Sequence, residues 1–402
     1  MADFNAADTA WLLSATCLVL MMTVPGLALF YAGLVRKKNV LSTMMQSFAA
    51  CCLVTLLWIA IGYSLAFDGT AALTGGLNRL FLVGLGKDSL TGTIPETLFM
   101  TFQMTFAIIT PAVICGAFAD RMKFPALLWF LGAWSLIVYA PVAHAVWGGG
   151  FLAQWGVLDF AGGTVVEINS GVAGLVAALM IGKRRGFPHE PMPPHNLVLS
   201  VTGAGLLWVG WLGFNGGSAL AANSTAAVAL MNTQIAGAAG ALAWLAVEWK
   251  LHQRPSVLGI ISGAVAGLVA ITPACAFVSP MGAVLVGLAA GAICLFASTS
   301  LKRRLGYDDA LDVFGVHGVG GVVGMVGIGL LAMQGWGGTP GLLEGNAMLL
   351  VKQAAACLIV AGWCALASFV ILTVIERTIG LRVTREAEIE GLDLNLHGEV
   401  VQ

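Results

Sequence analysis

Apolar residues run along this chain in stretches too long for ordinary core helices, and polar residues collect between them. Crossing a bilayer as a helix takes roughly 20 mostly apolar residues. Stretches of that kind occupy 10–33, 40–66, 96–119, 125–147, 164–182, 196–220, 226–249, 256–275, 280–300, 313–333 and 346–375. The pattern therefore predicts an all-α polytopic membrane protein with eleven transmembrane helices. The region 256–300 reads almost as one continuous apolar run, and its length divides it into two spans.

The basic residues give a second, independent reading. Arg36, Lys37 and Lys38 follow the first span, Arg121 and Lys123 the third, and Lys183, Arg184 and Arg185 the fifth. Lys250 and Arg254 follow the seventh, Lys302, Arg303 and Arg304 the ninth, and Arg377, Arg382 and Arg385 the eleventh. Sixteen of the 19 basic residues thus fall on one side, leaving Arg79, Lys87 and Lys352 for the other. Basic loops stay in the cytoplasm, so the N-terminus is expected outside and the C-terminus inside. An odd number of spans requires that arrangement.

Composition agrees. Of the 402 residues 58% are hydrophobic and only 10% are Asp, Glu, Lys or Arg, where soluble domains carry about a quarter charged residues. Intrinsic disorder has the reverse signature, and a net charge of −1 does not suit a nucleic-acid partner. All eight cysteines lie in apolar stretches without a CxxC, and read as small hydrophobes with free thiols. The segment Met1–Asn5 lacks the basic start of a cleaved signal peptide, so the first span is expected to be retained. Residues 1–375 form the transmembrane domain, and 376–402 a charged cytoplasmic tail.

Two halves of the chain match. Gly26-Leu-Ala-Leu-Phe30-Tyr-Ala-Gly33 pairs with Gly210-Trp-Leu-Gly-Phe214-Asn-Gly-Gly217, and Val166-Glu167-x3-Gly171-Val172-x-Gly174 with Val316-His317-x3-Gly321-Val322-x-Gly324. These matches outline one repeat over about 10–182, a second over about 196–333, and an eleventh helix at about 346–375. Five spans per repeat is odd, so the second half is inverted in the membrane, which places a substrate path at the repeat interface. Glu167 and His317 become equivalent positions on two related helices. Ionisable groups at bilayer depth mark functional sites by default, and this pair could share one proton. The alternative is that each is a satisfied polar residue fixing helix packing. Asp159 reads as a cap or tie near a span end, Glu248 as a side chain reaching the interface, and His144 as structural.

Several longer motifs then carry a resemblance. Asp159-Phe-Ala-Gly-Gly-Thr164-Val-Val-Glu167-Ile-Asn169, Asp312-Val-Phe-Gly-Val-His317-Gly, Gly213-Phe214-Asn215-Gly-Gly-Ser218, Ala143-His144-x-Val-Trp147-Gly-Gly-Gly and Thr272-Pro-Ala-Cys resemble the ammonium transporter (Amt/Mep/Rh) family. The tail Gly380–Glu399 is similar to the bacterial Amt C-terminus. The resemblance implies a homotrimer with one pore per subunit, in the cell inner or plasma membrane, taking ammonium and methylammonium without a cofactor or metal. Phe102, Phe106, Trp147 and Ser218 match the family's outer recruitment site, Phe106 and Phe214 its pore gate, and His317 the second of its two pore histidines. Asp159 matches an aspartate that supports the recruitment site from behind. Glu167 stands where the first pore histidine is usual, as in some fungal ammonium permeases. A trimeric PII-type signal protein is the implied partner. The tail is expected to hold the ends of spans 9 to 11 in register against Asp308, Asp309 and Asp312.

The residue types suit the ion. Aromatic faces attract a compact cation, by about 0.5–2 kcal/mol, and a hydroxyl such as Ser218 accepts one of its four N–H bonds. An apolar pore beyond a phenylalanine gate penalises a bare ion and favours loss of a proton before passage. On their own, the aromatics could equally be membrane packing or an interfacial belt. Three other classes compete with this reading. An ammonium sensor or transceptor would use the same fold, a membrane enzyme would need catalytic motifs such as GxSxG or HExxH that are absent, and an Rh-like gas channel is disfavoured by Trp147 and the acidic tail.

Overall fold

The computed structural model describes residues 3–401. Among the described residues, ten helices are long and apolar enough to cross a membrane: α1 (Ala6–Leu34), α2 (Lys37–Phe67), α3 (Glu96–Phe118), α4 (Phe124–Trp155, interrupted at Trp147–Gly150), α5 (Gly163–Ile181), α6 (Leu197–Gly217), α7 (Ser224–His252), α9 (Pro280–Leu305), α10 (Phe314–Leu331) and α11 (Ala347–Thr378). The shorter apolar helix α8 (Val257–Ile271) lies between α7 and α9. The run at 256–300 is thus two helices, separated by the turn at Thr272–Ser279.

Helix starts follow capping chemistry. The side chains of Asn5, Asn196, Asn223, Ser256, Ser279 and Asn346 each accept a backbone N–H of the turn they precede, replacing partners that the first turn of a helix lacks. In α1 the missing N–H of Pro25 breaks the ladder, and Val24 leaves helical geometry at φ −132°. The only sheet among the described residues is the two-stranded hairpin of β1 (Leu90–Thr91) and β2 (Ile94–Pro95) in the long loop after α2.

Two helix pairs build the centre. α1 packs on α6, and α5 packs on α10. On α5, Gly171 lies so close to Gly318 of α10 that a Cβ would overlap the Gly318 backbone, while a Cβ on Gly321 would stand 2.9 Å from Glu167 Cβ. These glycines lie one turn after Glu167 and His317, and they let the backbones approach until the two side chains meet.

The tail departs from expectation. It docks across loops of the first half rather than against α9–α11. Val383 N–H donates to the Arg121 carbonyl (3.0 Å), Lys123 N–H to the Leu381 carbonyl (2.9 Å), and Leu392 N–H to Asn39 Oδ1 (2.8 Å). Glu388 on α12 (Arg385–Glu390) is buried, gripped by Arg382 at 2.8 Å with Arg185 at 3.7 Å. Asp393 accepts the N–H groups of Leu41 and Ser42 (3.1 and 2.8 Å), capping the start of α2. The three aspartates have other partners: Asp308 pairs with Arg184 (2.7 Å), Asp312 with Lys302 (2.5 Å), and Asp309 accepts from Phe314 N–H (2.7 Å). The physical reason is that the tail carries the capping groups that the α1–α2 and α3–α4 loops lack, whereas Asp308 and Asp312 are already neutralised by Arg184 and Lys302.

Candidate functional site

Three cavities lie in the interior, and the second and third share Phe30 and His317 as lining residues. At the face away from the basic loops lies a vestibule of about 290 Å³, lined by Phe67, Phe99, Gln103, Phe106, Trp147, Phe160 and Ser218, with Val146 and Leu220. Ser218 Oγ donates to the Phe214 carbonyl (2.8 Å), so its lone pairs remain for an incoming donor. Trp147 Nε1 donates to the Asp159 carbonyl (2.9 Å), which fixes the indole with its ring edge-on to Phe106 at 5.8 Å.

Phe102 is placed differently from its three companions. It is fully buried and does not line the vestibule. Its ring meets Phe106 edge-on at 5.0 Å, and Gly217 packs against it. One residue further along α3, Gln103 lines the vestibule instead. Its Oε1 is buried without a partner, an acceptor left for a donor from outside the chain. Sequence reasoning missed it because an amide among Phe99, Phe102 and Phe106 has no motif of its own. The usable signal was its spacing of four residues from Phe99 and three from Phe106.

Beneath the vestibule the rings of Phe106 and Phe214 stack at 4.1 Å with an interplanar angle of 27°. Phe106 lines the vestibule and Phe214 the next cavity, so the stacked pair stands between the two. Past them lies a cavity of about 20 Å³, room for about one water, lined by Leu27, Phe30, Ile109, Trp211 and other apolar residues together with Glu167 and His317. Trp211 Nε1 is occupied by Thr272 Oγ1 (2.7 Å). Glu167 and His317 therefore supply the unspent polar chemistry here. His317 Nδ1 meets Glu167 Oε2 at 2.7 Å, and both residues are buried. His317 also lines a third cavity of about 320 Å³ toward the basic loops, bordered by Phe30, Trp244, Glu248, Ser298 and Asp312.

The backbone that presents this pair repeats itself. Glu167 sits in a π-helical turn (Gly163–Ile168) and His317 in another (Phe314–Gly318). Eight residues before each stands a buried aspartate. Asp159 accepts from Gly162, Gly163 and Thr164 N–H at 2.8, 2.6 and 2.7 Å, and from Thr164 Oγ1 at 2.5 Å. Asp309 accepts from Phe314 N–H, five residues on, as Thr164 is from Asp159. Five residues before each pore residue the backbone turns left-handed, at Gly162 (φ 123°) and Asp312 (φ 60°). Asp309 lies outside the spans; burial, then the neighbouring Asp312 charge, push its carboxyl up to about 6.

The remaining candidates are structural. His144 is fully buried, with its ring nitrogens 2.9 and 2.6 Å from the carbonyls of Ala66 and Ala71. Glu248 is not a free interfacial side chain: it accepts from Ser256 N–H and Oγ (3.1 and 2.9 Å) and ties α7 to the start of α8. The eight cysteines are all free thiols, and no cluster of potential metal ligands occurs among the described residues.

With this geometry in place, comparison with known proteins is direct. The chain is 48% identical over 396 residues to an ammonium transporter of Bacillus subtilis, covering 98% of this chain and 97% of that one. It is 50% identical over 403 residues to an ammonium transporter of Aquifex aeolicus, covering 99% and 94%. The solved structure of Candida albicans Mep2 superposes with a TM-score of 0.90 at 36% identity, covering 96% of this chain and 88% of that one. The family model for the Ammonium Transporter Family matches residues 10–402, and the chain belongs to that family.

Proposed function

We propose that this protein moves ammonium and methylammonium across a cell inner or plasma membrane, and that the ion gives up a proton between the vestibule and the pore. Family membership supports the substrate, and the family consists of transporters rather than enzymes. The observation that carries the mechanism is the stacked Phe106–Phe214 pair, which separates a vestibule holding open acceptors from a cavity whose unspent polar groups are Glu167 and His317.

In this reading the vestibule is the outer end. Ammonium is held by the faces of Phe106 and Trp147 through cation–π attraction and donates to Ser218 Oγ and Gln103 Oε1. Phe102 acts from behind Phe106, and Asp159 from behind Trp147. Entering the apolar passage as a cation costs too much. Ammonia crosses when the Phe106 and Phe214 rings swing apart, and the proton passes to the Glu167–His317 pair and from His317 into the third cavity, which that residue also lines, where ammonia takes it up again. Potassium has no proton to lose. The third cavity is the cytoplasmic exit, the basic loops face the cytoplasm, and the N-terminus is outside. The two halves act as inverted repeats, with Asp159 and Asp309 as matching caps. The assembly is a homotrimer with one pore per subunit, and the face carrying the docked tail receives a PII-type signal protein.

Currents from proteoliposomes under matched ammonium, methylammonium and potassium gradients test the reading. Ammonium and methylammonium currents without a potassium current are expected. Equal currents from potassium and ammonium would overturn it.

A further inference from the structure

The buried stripe of α11 runs through Leu349, Gln353, Ala356, Cys357, Val360 and Cys364. Every neighbour of Gln353 in that stripe is apolar or a thiol, and an apolar residue would fill the position without desolvating an amide. Gln353 is fully buried, and its amide brackets one residue, with Met325 Sδ a further and weaker partner of Nε2 at 3.9 Å. Leu158 N–H donates to Oε1 at 2.9 Å and Nε2 donates to the Leu158 carbonyl at 2.6 Å. Residues 157–159 have no helix or strand of their own, so Gln353 supplies the partners that regular structure would otherwise give.

The consequence lies one residue further on. Asp159 presents the carbonyl that holds Trp147 Nε1, and its carboxylate caps the turn carrying Glu167. Phe160, next in line, lines the vestibule, and its N–H reaches the Pro273 carbonyl at 3.1 Å. The indole therefore stands where Asp159 puts its carbonyl, and that carbonyl stands where α11 holds Leu158. We infer that Gln353 is a positioning residue for ammonium recruitment, fixing the Leu158–Asp159 segment on α11 and so setting the place of the Trp147 ring in the vestibule. The inference rests on the recruitment reading above. It gives the helix outside the two matched halves a part in substrate affinity without contact to substrate.

The test separates affinity from capacity. Gln353→Met keeps the length of the side chain and removes both hydrogen bonds. The apparent KM for ammonium in proteoliposome currents is expected to rise about three- to ten-fold, the equivalent of about one net hydrogen bond, while maximal current per transporter stays within about twofold. Gln353→Glu is the conservative variant. Its protonated carboxyl can accept from Leu158 N–H and donate to the Leu158 carbonyl, so at acid pH its KM should match wild type measured at the same pH. In a Trp147→Leu background, itself raised in KM, Gln353→Met should add little, because the pair acts as one unit. An unchanged KM in Gln353→Met, or the same added rise with and without Trp147, overturns the inference. If Gln353→Met does not fold, a Gln353→Glu protein with wild-type KM at both acid and alkaline pH overturns it equally. A Trp147→Leu protein with wild-type KM overturns the recruitment reading and the inference with it.

Discussion

Replacing Glu167 with Gln changes one property of the pore and almost nothing else. The side chain keeps its length, and an amide can still form a hydrogen bond with His317 Nδ1, which now stands 2.7 Å from Glu167 Oε2. The fold therefore loses only the difference between a charge-assisted and a neutral hydrogen bond, about 1 kcal/mol. For a chain of this size that lowers the unfolding midpoint by no more than about 2–4 °C. What disappears is the capacity to take a proton, because an amide has no basicity in this range. Positioned acid–base groups contribute about 10²–10⁴ in rate, so the ammonium-driven current of Glu167→Gln should fall at least about a hundredfold. Glu167→His restores a base and should keep the current. An imidazole and a carboxylate take up protons at different pH, so the pH profile of this variant should be shifted from that of wild type. The assay is current on solid-supported membranes over a pH series, normalised to transporter, with a melting curve beside it. A Glu167→Gln protein with full current and an unchanged pH profile would show that Glu167 only packs α5 against α10.

Two further outcomes follow from the basic face. Glu388→Ala leaves the guanidiniums of Arg382 and Arg185 without their carboxylate, and Asp393→Ala uncaps α2 at a cost of about 1 kcal/mol; both variants, like deletion of 381–402, should expose the tail to limited proteolysis and reduce transport, and wild-type transport in the truncated protein would sever tail docking from activity. For Asp309 the folded carboxyl titrates near 6 rather than 3.8, so the folded state binds the extra proton between those values. Its contribution to stability is greatest below the lower value and is lost as pH rises through about 6. Asp309→Asn, which can still accept from Phe314 N–H, should flatten that part of the melting-temperature profile in detergent, and an unaltered profile would refute the assignment.

How much of this was readable from the chain depended on whether the information was local. The eleven helices were, because bilayer thickness dictates the length of an apolar run and the caps at Asn5, Asn196, Asn223 and Ser279 are side chains beside the turns they serve. Glu167 and His317 were also legible, since a charged residue in such a run needs a reason. Their contact required only two spans to be equivalent. Gln103 and Phe102 were not separable by sequence, because both lie on α3 within one turn of Phe106 and a rotation of 100° per residue decides which one meets the vestibule. The partners of the tail were not legible for a related reason. Its acids and arginines announce ion pairs, but sequence does not say with whom. Glu388 closes on Arg382 six residues before it, while Asp393 reaches 351 positions back to Ser42.

The same distinction explains why the pore centre tolerates a carboxylate and an imidazole at matched positions. What the two halves share lies in the backbone rather than in the pore side chains. Each half has an aspartate at −8 that caps the turn, a left-handed residue at −5, a π-helical turn at the pore residue and a glycine at +4 against the other helix. These features fix where a side chain at 167 or 317 projects, whichever side chain it is. Identity at the two positions is then free to differ so long as one group can donate where the other accepts, and Glu167 opposite His317 meets that condition at 2.7 Å. The asymmetry lies in the surroundings. Asp159 is spent four ways on its turn and also presents the carbonyl that holds Trp147, whereas Asp309 keeps Oδ1 buried without a partner. The Asp159 end is the more tightly built of the two, which suits the recruitment role proposed for it, while the Asp309 end lies beside a cavity of about 320 Å³ that Asp312 and His317 line, the exit in that proposal.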